Sequence, residues 1–196
     1  PPLFNSYNGR DHHQASSLML LGAGIRGNTL VGATSDTGMS PIPWDVDNNV
    51  WQVGDDSEVI VIDAPHDADT ILGAVAGRKV LAIVLTHGHN DHINAAVELS
   101  ETTGAGVWFP PADRMLWDVE HDTPPDHDLV AGTTFEVAGS RLVALSTPGH
   151  SPGSTCIYSE DLHAVFTGDT LFAGGPGATG RSYSDFDTII ESIREQ

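Results

Sequence analysis

Three imidazoles and a carboxylate fall within six residues, in the run Thr86-His87-Gly88-His89-Asn90-Asp91-His92. Neutral imidazole nitrogen and carboxylate oxygen are the ligands that suit zinc, iron and manganese. Histidines scattered through a core do not fall at spacings of two and three beside an aspartate. Gly88 is expected to let the backbone turn, so that His87 and His89 face one centre while Asp91 and His92 aim at a neighbouring position. The run follows directly on the apolar segment Val80-Leu81-Ala82-Ile83-Val84-Leu85, which places the ligand loop at the end of a buried strand.

The same grammar recurs twice. Leu142 to Ser146 reads as a strand and leads into Thr147-Pro148-Gly149-His150-Ser151-Pro152-Gly153-Ser154, so a fourth histidine sits on a tight turn at a strand end. Val165-Phe166-Thr167-Gly168-Asp169-Thr170-Leu171-Phe172 places Asp169 on a turn after a third strand. Loops at strand ends are where a rigid sheet presents catalytic groups.

These motifs resemble those of the metallo-β-lactamase superfamily, H-x-H-x-D-H followed by a distant His and a distant Asp, over roughly Trp44 to the end of the chain. Within it, the stretches T-P-G-H-S-P-G-S and T-G-D-T-L-F look most like glyoxalase II, the hydroxyacylglutathione hydrolases. The resemblance implies a four-layer αβ/βα sandwich and two metal ions, zinc first, with iron or manganese as alternatives. His87, His89 and His150 would hold the first ion, and Asp91 and His92 the second. Asp169 would bridge them, with Asp91 and Asp169 serving catalysis. The family completes its second site with a further histidine well downstream of the bridging Asp, and this chain has none after His163. The expectation is therefore a domain lacking its C-terminal part.

Two ions sharing a water through a bridging carboxylate lower its pKa from about 15.7 toward about 7, so hydroxide is available at neutral pH. A thioester suits such a site, because a thiolate of pKa about 8.5 leaves without a general acid. Gly180-Arg181-Ser182-Tyr183 resembles the basic-x-aromatic element with which glyoxalase II holds the glycine carboxylate of glutathione, with Arg181 and Tyr183 as substrate-binding residues. The stretch 172–179 is longer than expected in the glutathione enzymes and admits a different small thiol carrier. The rivals are a persulfide dioxygenase with one iron on His87, His150 and Asp169, a lactonase or β-lactamase, and an inactive fragment that keeps the motif.

Composition bounds the partners. The chain has 196 residues with 27 acidic against 8 basic side chains, a net charge of −19. Such a surface repels phosphate backbones, which argues against nucleic acid and leaves a small-molecule substrate. No stretch is long enough to span a membrane, and the apolar segment from Ser16 to Ile25 lacks the basic start of a signal peptide, so a cytoplasmic protein is expected. The one cysteine, Cys156, excludes an internal disulfide and reads as a buried inert thiol.

The elements that must position the ligands alternate strand and helix. Residues 1–43 form an irregular extension, with a hairpin of Leu18–Leu21 and Thr29–Val31 as the competing reading and His12 and His13 as solvated tail residues. Residues 44–196 form the domain. Strands are expected at Asn49–Val53 and Glu58–Ile62 as a hairpin, and at Val80–Leu85, Val107–Phe109, Thr134–Val137, Arg141–Ser146, Ser154–Tyr158 and Ala164–Thr167. Helices are expected over Asp67–Ala76, from Asn90 or Asp91 to Thr102, as a turn over Asp113–Trp117, and from Ser184 or Asp185 onward. His121–Asp128 reads as a proline-broken loop. His66, His121, His127 and His163 read as structural, and Trp108 and Trp117 as core or loop anchors.

Overall fold

The structure, a computed structural model, describes residues 48–196. The readings for residues 1–43, and Trp44, lie outside the described residues. Strands β1 (Trp51–Gly54) and β2 (Glu58–Ile62) form the expected antiparallel hairpin, with Val53 opposite Ile60. From β2 onward the first sheet is parallel, through β3 (Lys79–Val84), β4 (Val107–Phe109) and the two-residue β5 (His127–Asp128). The crossovers are α1 (Ala68–Val75), α2 (Asn90–Ile93) with α3 (Ala96–Thr103), and α4 (Arg114–Glu120). Val59, Ile60, Val61 and Ile62 are all buried, as expected of a strand covered on both faces.

Successive residues of β2 serve two different cores, because side chains alternate across a strand. Val59 and Val61 join Ile83, Leu85, Ile71, Val75 and Leu99 beneath the helices. Ile60 and Ile62 join Val84, Phe135, Leu142, Ala144, Ile157 and Phe166 against a second sheet. That sheet is an antiparallel meander of β6 (Thr134–Val137), β7 (Ser140–Ser146), β8 (Thr155–Ser159) and β9 (Ala164–Phe166). Its first strand alternates exposed and buried residues, as a sheet with one wet face must. A terminal helix, α5 (Phe186–Glu195), capped by Asp185 through the Thr188 N–H, docks on the loop joining β7 to β8. The result is the expected α/β sandwich of the αβ/βα type.

Two expectations are corrected. The helix expected over 90–102 is two helices, because the backbone between them bonds elsewhere. The His92 carbonyl accepts from Ala64 N–H, and Ala95 N–H donates to the Ala64 carbonyl, tying the break to the loop after β2. The loop His121–Asp128 ends in β5, which pairs with Trp108 and Phe109. After Asp169, Leu171–Phe172 (β10) pairs with Gly175–Pro176 (β11). No helix of the described residues is long and apolar enough to cross a membrane.

The docking of α5 makes a sharp demand on one glycine. A Cβ on Gly149, which has φ of +135°, would lie 2.3 Å from the Ile189 nitrogen. Gly149→Ala is therefore expected to destabilise the protein by about 2–4 kcal/mol in urea unfolding. Gly73→Ala, within α1 and with open space around the new methyl, is expected to stabilise it by about 0.5–1 kcal/mol. Equal effects would show that the α5 contact is not tight.

Candidate metal centre

Parallel pairing aligns strand ends, and this assembles the site. Ile62 pairs with Val84, so the residue after β2, Asp63, comes beside the residues after β3. Asp63 accepts from the Thr86 backbone N–H at 2.8 Å and from its hydroxyl at 2.9 Å. Thr86 in turn receives the Thr155 N–H on its carbonyl at 2.9 Å, which joins the start of β8 to the end of β3. A Cβ on Gly168, at φ +48°, would stand 2.5 Å from the Thr86 hydroxyl oxygen. Both later ligand loops thus close on the threonine that precedes His87.

The expected ligands converge. His87 Nε2 lies 3.0 Å from His89 Nδ1, and His150 Nε2 lies 2.9 Å from the same atom. The Asp169 carboxylate spans the site, with Oδ1 3.2 Å from His92 Nε2 and Oδ2 3.3 Å from His150 Nε2. Two sets of donors result, His87 with His89 and His150, and His87 with His92 and Asp169, each within 4.8 Å of one another. All of these side chains are buried except His89, which is half-buried.

The partners of the outer ring nitrogens set which lone pairs are free for an ion. His150 Nδ1 donates to the Ala178 carbonyl at 2.7 Å, leaving a lone pair on Nε2. The Thr86 hydroxyl spends its proton on Asp63, so it accepts from His87 Nδ1 at 3.1 Å, and His87 Nε2 is likewise left unprotonated. His92 Nδ1 faces Asp63 at 2.9 Å, which directs its Nε2 to Asp169. These tautomers follow from the partners. Hydrogen-bonded outer nitrogens of this kind orient metal-ligating histidines.

Electrostatics separate the two sets. Burial, and then the neighbouring His92, holds His87 well below the ordinary imidazole value. Burial and His150 bring His89 down to about 4, although Asp169 and Asp91 pull the other way. Both rings are therefore neutral at physiological pH, the form a metal requires. For His92 burial works against protonation, but the Asp169 and Asp63 carboxylates outweigh it and raise the value well above 6.5. Buried neutral imidazoles with inward lone pairs and a carboxylate between them are the donor set of a divalent-metal centre.

Other expected residues fall outside the two sets. Asp91 is half-buried, its backbone carbonyl accepting from Asn48 Nδ2 at 2.5 Å, and its charge acts on His89. Arg181 and Tyr183 lie exposed on the turn between β11 and α5, the turn being closed by Ser184 Oγ, which receives the Gly180 and Arg181 N–H groups. His121 packs on Trp117 with ring centres 4.3 Å apart and meets the Ile93 carbonyl, and His127 packs on Trp108. His66 and His163 belong to neither set. Cys156 is buried, and burial raises its thiol pKa.

Sequence reasoning passed over Asp63 as a strand terminator. The signal was available, since it ends a strand adjacent to the ligand strand in the same way as Thr86. The role assigned to Gly88 is corrected. Its φ is not in the left-handed region, and what excludes a side chain is space, since a Cβ would stand 2.8 Å from Asp113 Cβ and 2.9 Å from Leu116 Cβ.

Residues 43–196 match the metallo-beta-lactamase superfamily. The chain belongs to that superfamily. Among curated relatives, this metallo-β-lactamase domain is 34% identical over 141 residues to the hydroxyacylglutathione hydrolase of Salmonella paratyphi B, covering 71% of the chain and 53% of the relative. It thus spans about half the length of that relative, and its likeness within the superfamily is to glyoxalase II. It is also 34% identical to an uncharacterised Aquifex aeolicus protein, over 61% of the chain and 63% of the relative. Among solved structures, the domain superposes on the B3 metallo-β-lactamase BLEG-1 with a TM-score of 0.70 at 26% identity, covering 76% of this chain and 80% of that one. TTHA1623, solved in a di-iron-bound form, gives 0.66 at 27% identity with the same coverage. ETHE1 from Myxococcus xanthus gives 0.60 at 26% identity over 74% of this chain and 63% of that one.

Proposed function

We propose that this chain hydrolyses an S-acyl thiol with two divalent ions, zinc being the first choice. The position of Asp169 carries the reading, its two oxygens turned to His92 and His150, which belong to different donor sets. His87, His89 and His150 would hold the first ion, Asp91 and His92 the second, and Asp169 would reach both. Bound there, the ions would lower the pKa of a shared water from about 15.7 toward about 7 and polarise an acyl carbonyl. The chain's own residues hold the geometry. Asp63 and Thr86 fix the tautomers of His87 and His92, and the Ala178 carbonyl fixes that of His150. Arg181 and Tyr183 would take a carboxylate on the thiol portion. A thiolate of pKa about 8.5 needs no proton on leaving.

Identity of 34% to hydroxyacylglutathione hydrolases supports this substrate class. The likeness to BLEG-1 favours a second reading, β-lactam hydrolysis, and persulfide oxidation with a single iron is a further rival. The test is the zinc-loaded chain and, separately, the ferrous-loaded chain, each with a hydroxyacylglutathione, a chromogenic cephalosporin and a glutathione persulfide in parallel. Thiol release from the thioester, with two metal equivalents bound and no oxygen uptake, is expected. Turnover of the cephalosporin alone, or oxygen uptake with one iron, would overturn the thioester reading.

A further inference from the structure

We propose that Asp113 is a positioning residue that sets the distance between the two backbone arms carrying His89 and His150, and so the affinity and geometry of the three-histidine site. It rests on the metal-centre reading above and goes beyond it in assigning that geometry to a side chain outside every ligand motif. Asp113 ends the short 3-10 turn Pro111–Asp113 and is fully buried. One carboxylate oxygen accepts the Gly88 N–H at 2.8 Å and the Ser151 hydroxyl at 2.6 Å, and the other accepts the Gly153 N–H at 2.6 Å. Gly88 lies between His87 and His89, and Ser151 follows His150. A single carboxylate thus ties together the loops carrying His89 and His150, ligands 61 positions apart in sequence.

Two further observations point the same way. Asp113 occupies the N-cap position of α4, where an aspartate ordinarily accepts a backbone N–H of the helix, yet it makes no cap bond. Both oxygens are turned to the ligand loops instead. The loops have also been cleared for it. A Cβ on Gly88 would stand 2.8 Å from Asp113 Cβ, and one on Gly153 would stand 2.7 Å from Asp113 Cγ. Neither glycine has the left-handed backbone that would otherwise explain it. A side chain is excluded at Gly88 by the Cβ atoms of Asp113 and Leu116, and at Gly153 by the Asp113 carboxyl and the Pro110 Cβ, so the turn carrying Asp113 packs directly against both arms and holds them at a fixed separation.

Asp113→Asn keeps the size but sets an amide N–H against one of the N–H or O–H donors. Affinity of the first zinc, measured by chelator competition well below the unfolding temperature, is expected to fall by about 10–100-fold, as loss of an orienting partner does. The visible spectrum of the first bound cobalt is expected to change in band position, which a loss of stability alone would not cause. Affinity for the second ion should change by less than about threefold. If Asp113→Asn does not fold, Ser151→Ala removes a single strut contact and should weaken the first site by about three- to tenfold. A folded Asp113→Asn, or in its place Ser151→Ala, with wild-type first-site affinity and cobalt spectrum overturns the proposal. If the wild-type chain itself binds no zinc, the metal-centre reading fails instead, so the two failures are distinct.

Discussion

Asp169→Ala is expected to reduce thioester hydrolysis to the uncatalysed background while the protein keeps its fold. Asp169 belongs to the His87, His92 set, and its second oxygen lies 3.3 Å from His150 Nε2 of the other, so in the proposed bridging role its removal would take a ligand from both ions. His87, which the two sets share, offers one inward nitrogen while its other faces Thr86. The same change strips His92 of the stronger of its two charged neighbours, leaving Asp63 alone against burial, and its pKa should fall. Metal analysis should show one tightly held equivalent at most. Circular dichroism should remain native, since Asp169 is on a surface-closing turn and not in either apolar core. Near wild-type turnover by a folded Asp169→Ala protein would remove Asp169 from its bridging role.

The second large effect is a difference in pH dependence between the two ions. In the metal-free protein His89 is brought down to about 4, and burial holds His87 well below the ordinary imidazole value. Between about pH 5 and pH 8 the first ion therefore displaces no proton from either of these two rings. His92 has the opposite sign. Its pKa is raised, so at neutral pH it holds a proton that the second ion must displace. Affinity at that site should rise by about tenfold per pH unit up to the raised value, with about one proton released per ion. Titration calorimetry in buffers of differing ionisation enthalpy reads both quantities. Ordinary histidines at both sites would instead give two affinities that fall together below about pH 6.5. That outcome would contradict the environments described for His87 and His92.

Much of the centre was legible because its ligands lie in short local motifs. His87, His89 and His92 are held on one strand-to-helix turn, where spacing alone nearly determines which side chains can meet. His150 and Asp169 carried the same signature of apolar strand, tight turn and ligand. The strands and α1 were also legible, since alternation in β6 and the unbroken apolar run of β2 report burial on one face or both. The boundaries of the helix after His92 were not. Its interruption depends on Ala64, a residue about 30 positions earlier whose backbone competes for the bonds of the turn. Nor was β5, whose two exposed residues are strand only because Trp108 and Phe109 stand beside them.

What the sequence by itself determined is the set of candidate ligands His87, His89, His92, His150 and Asp169 and the strand ends that present them, because both are properties of residues close along the chain. Only the tertiary structure decided how those side chains are used. The pairing of β2 with β3 brings Asp63 to Thr86 and so sets the tautomers of His87 and His92. The closure of the β7–β8 loop onto the turn before α4 brings Asp113 between Gly88 and Gly153. Lone-pair direction, proton affinity and the fit of a carboxylate between two glycine backbones depend on atoms a few ångströms apart in space and tens of residues apart in sequence, and local spacing carries no record of them.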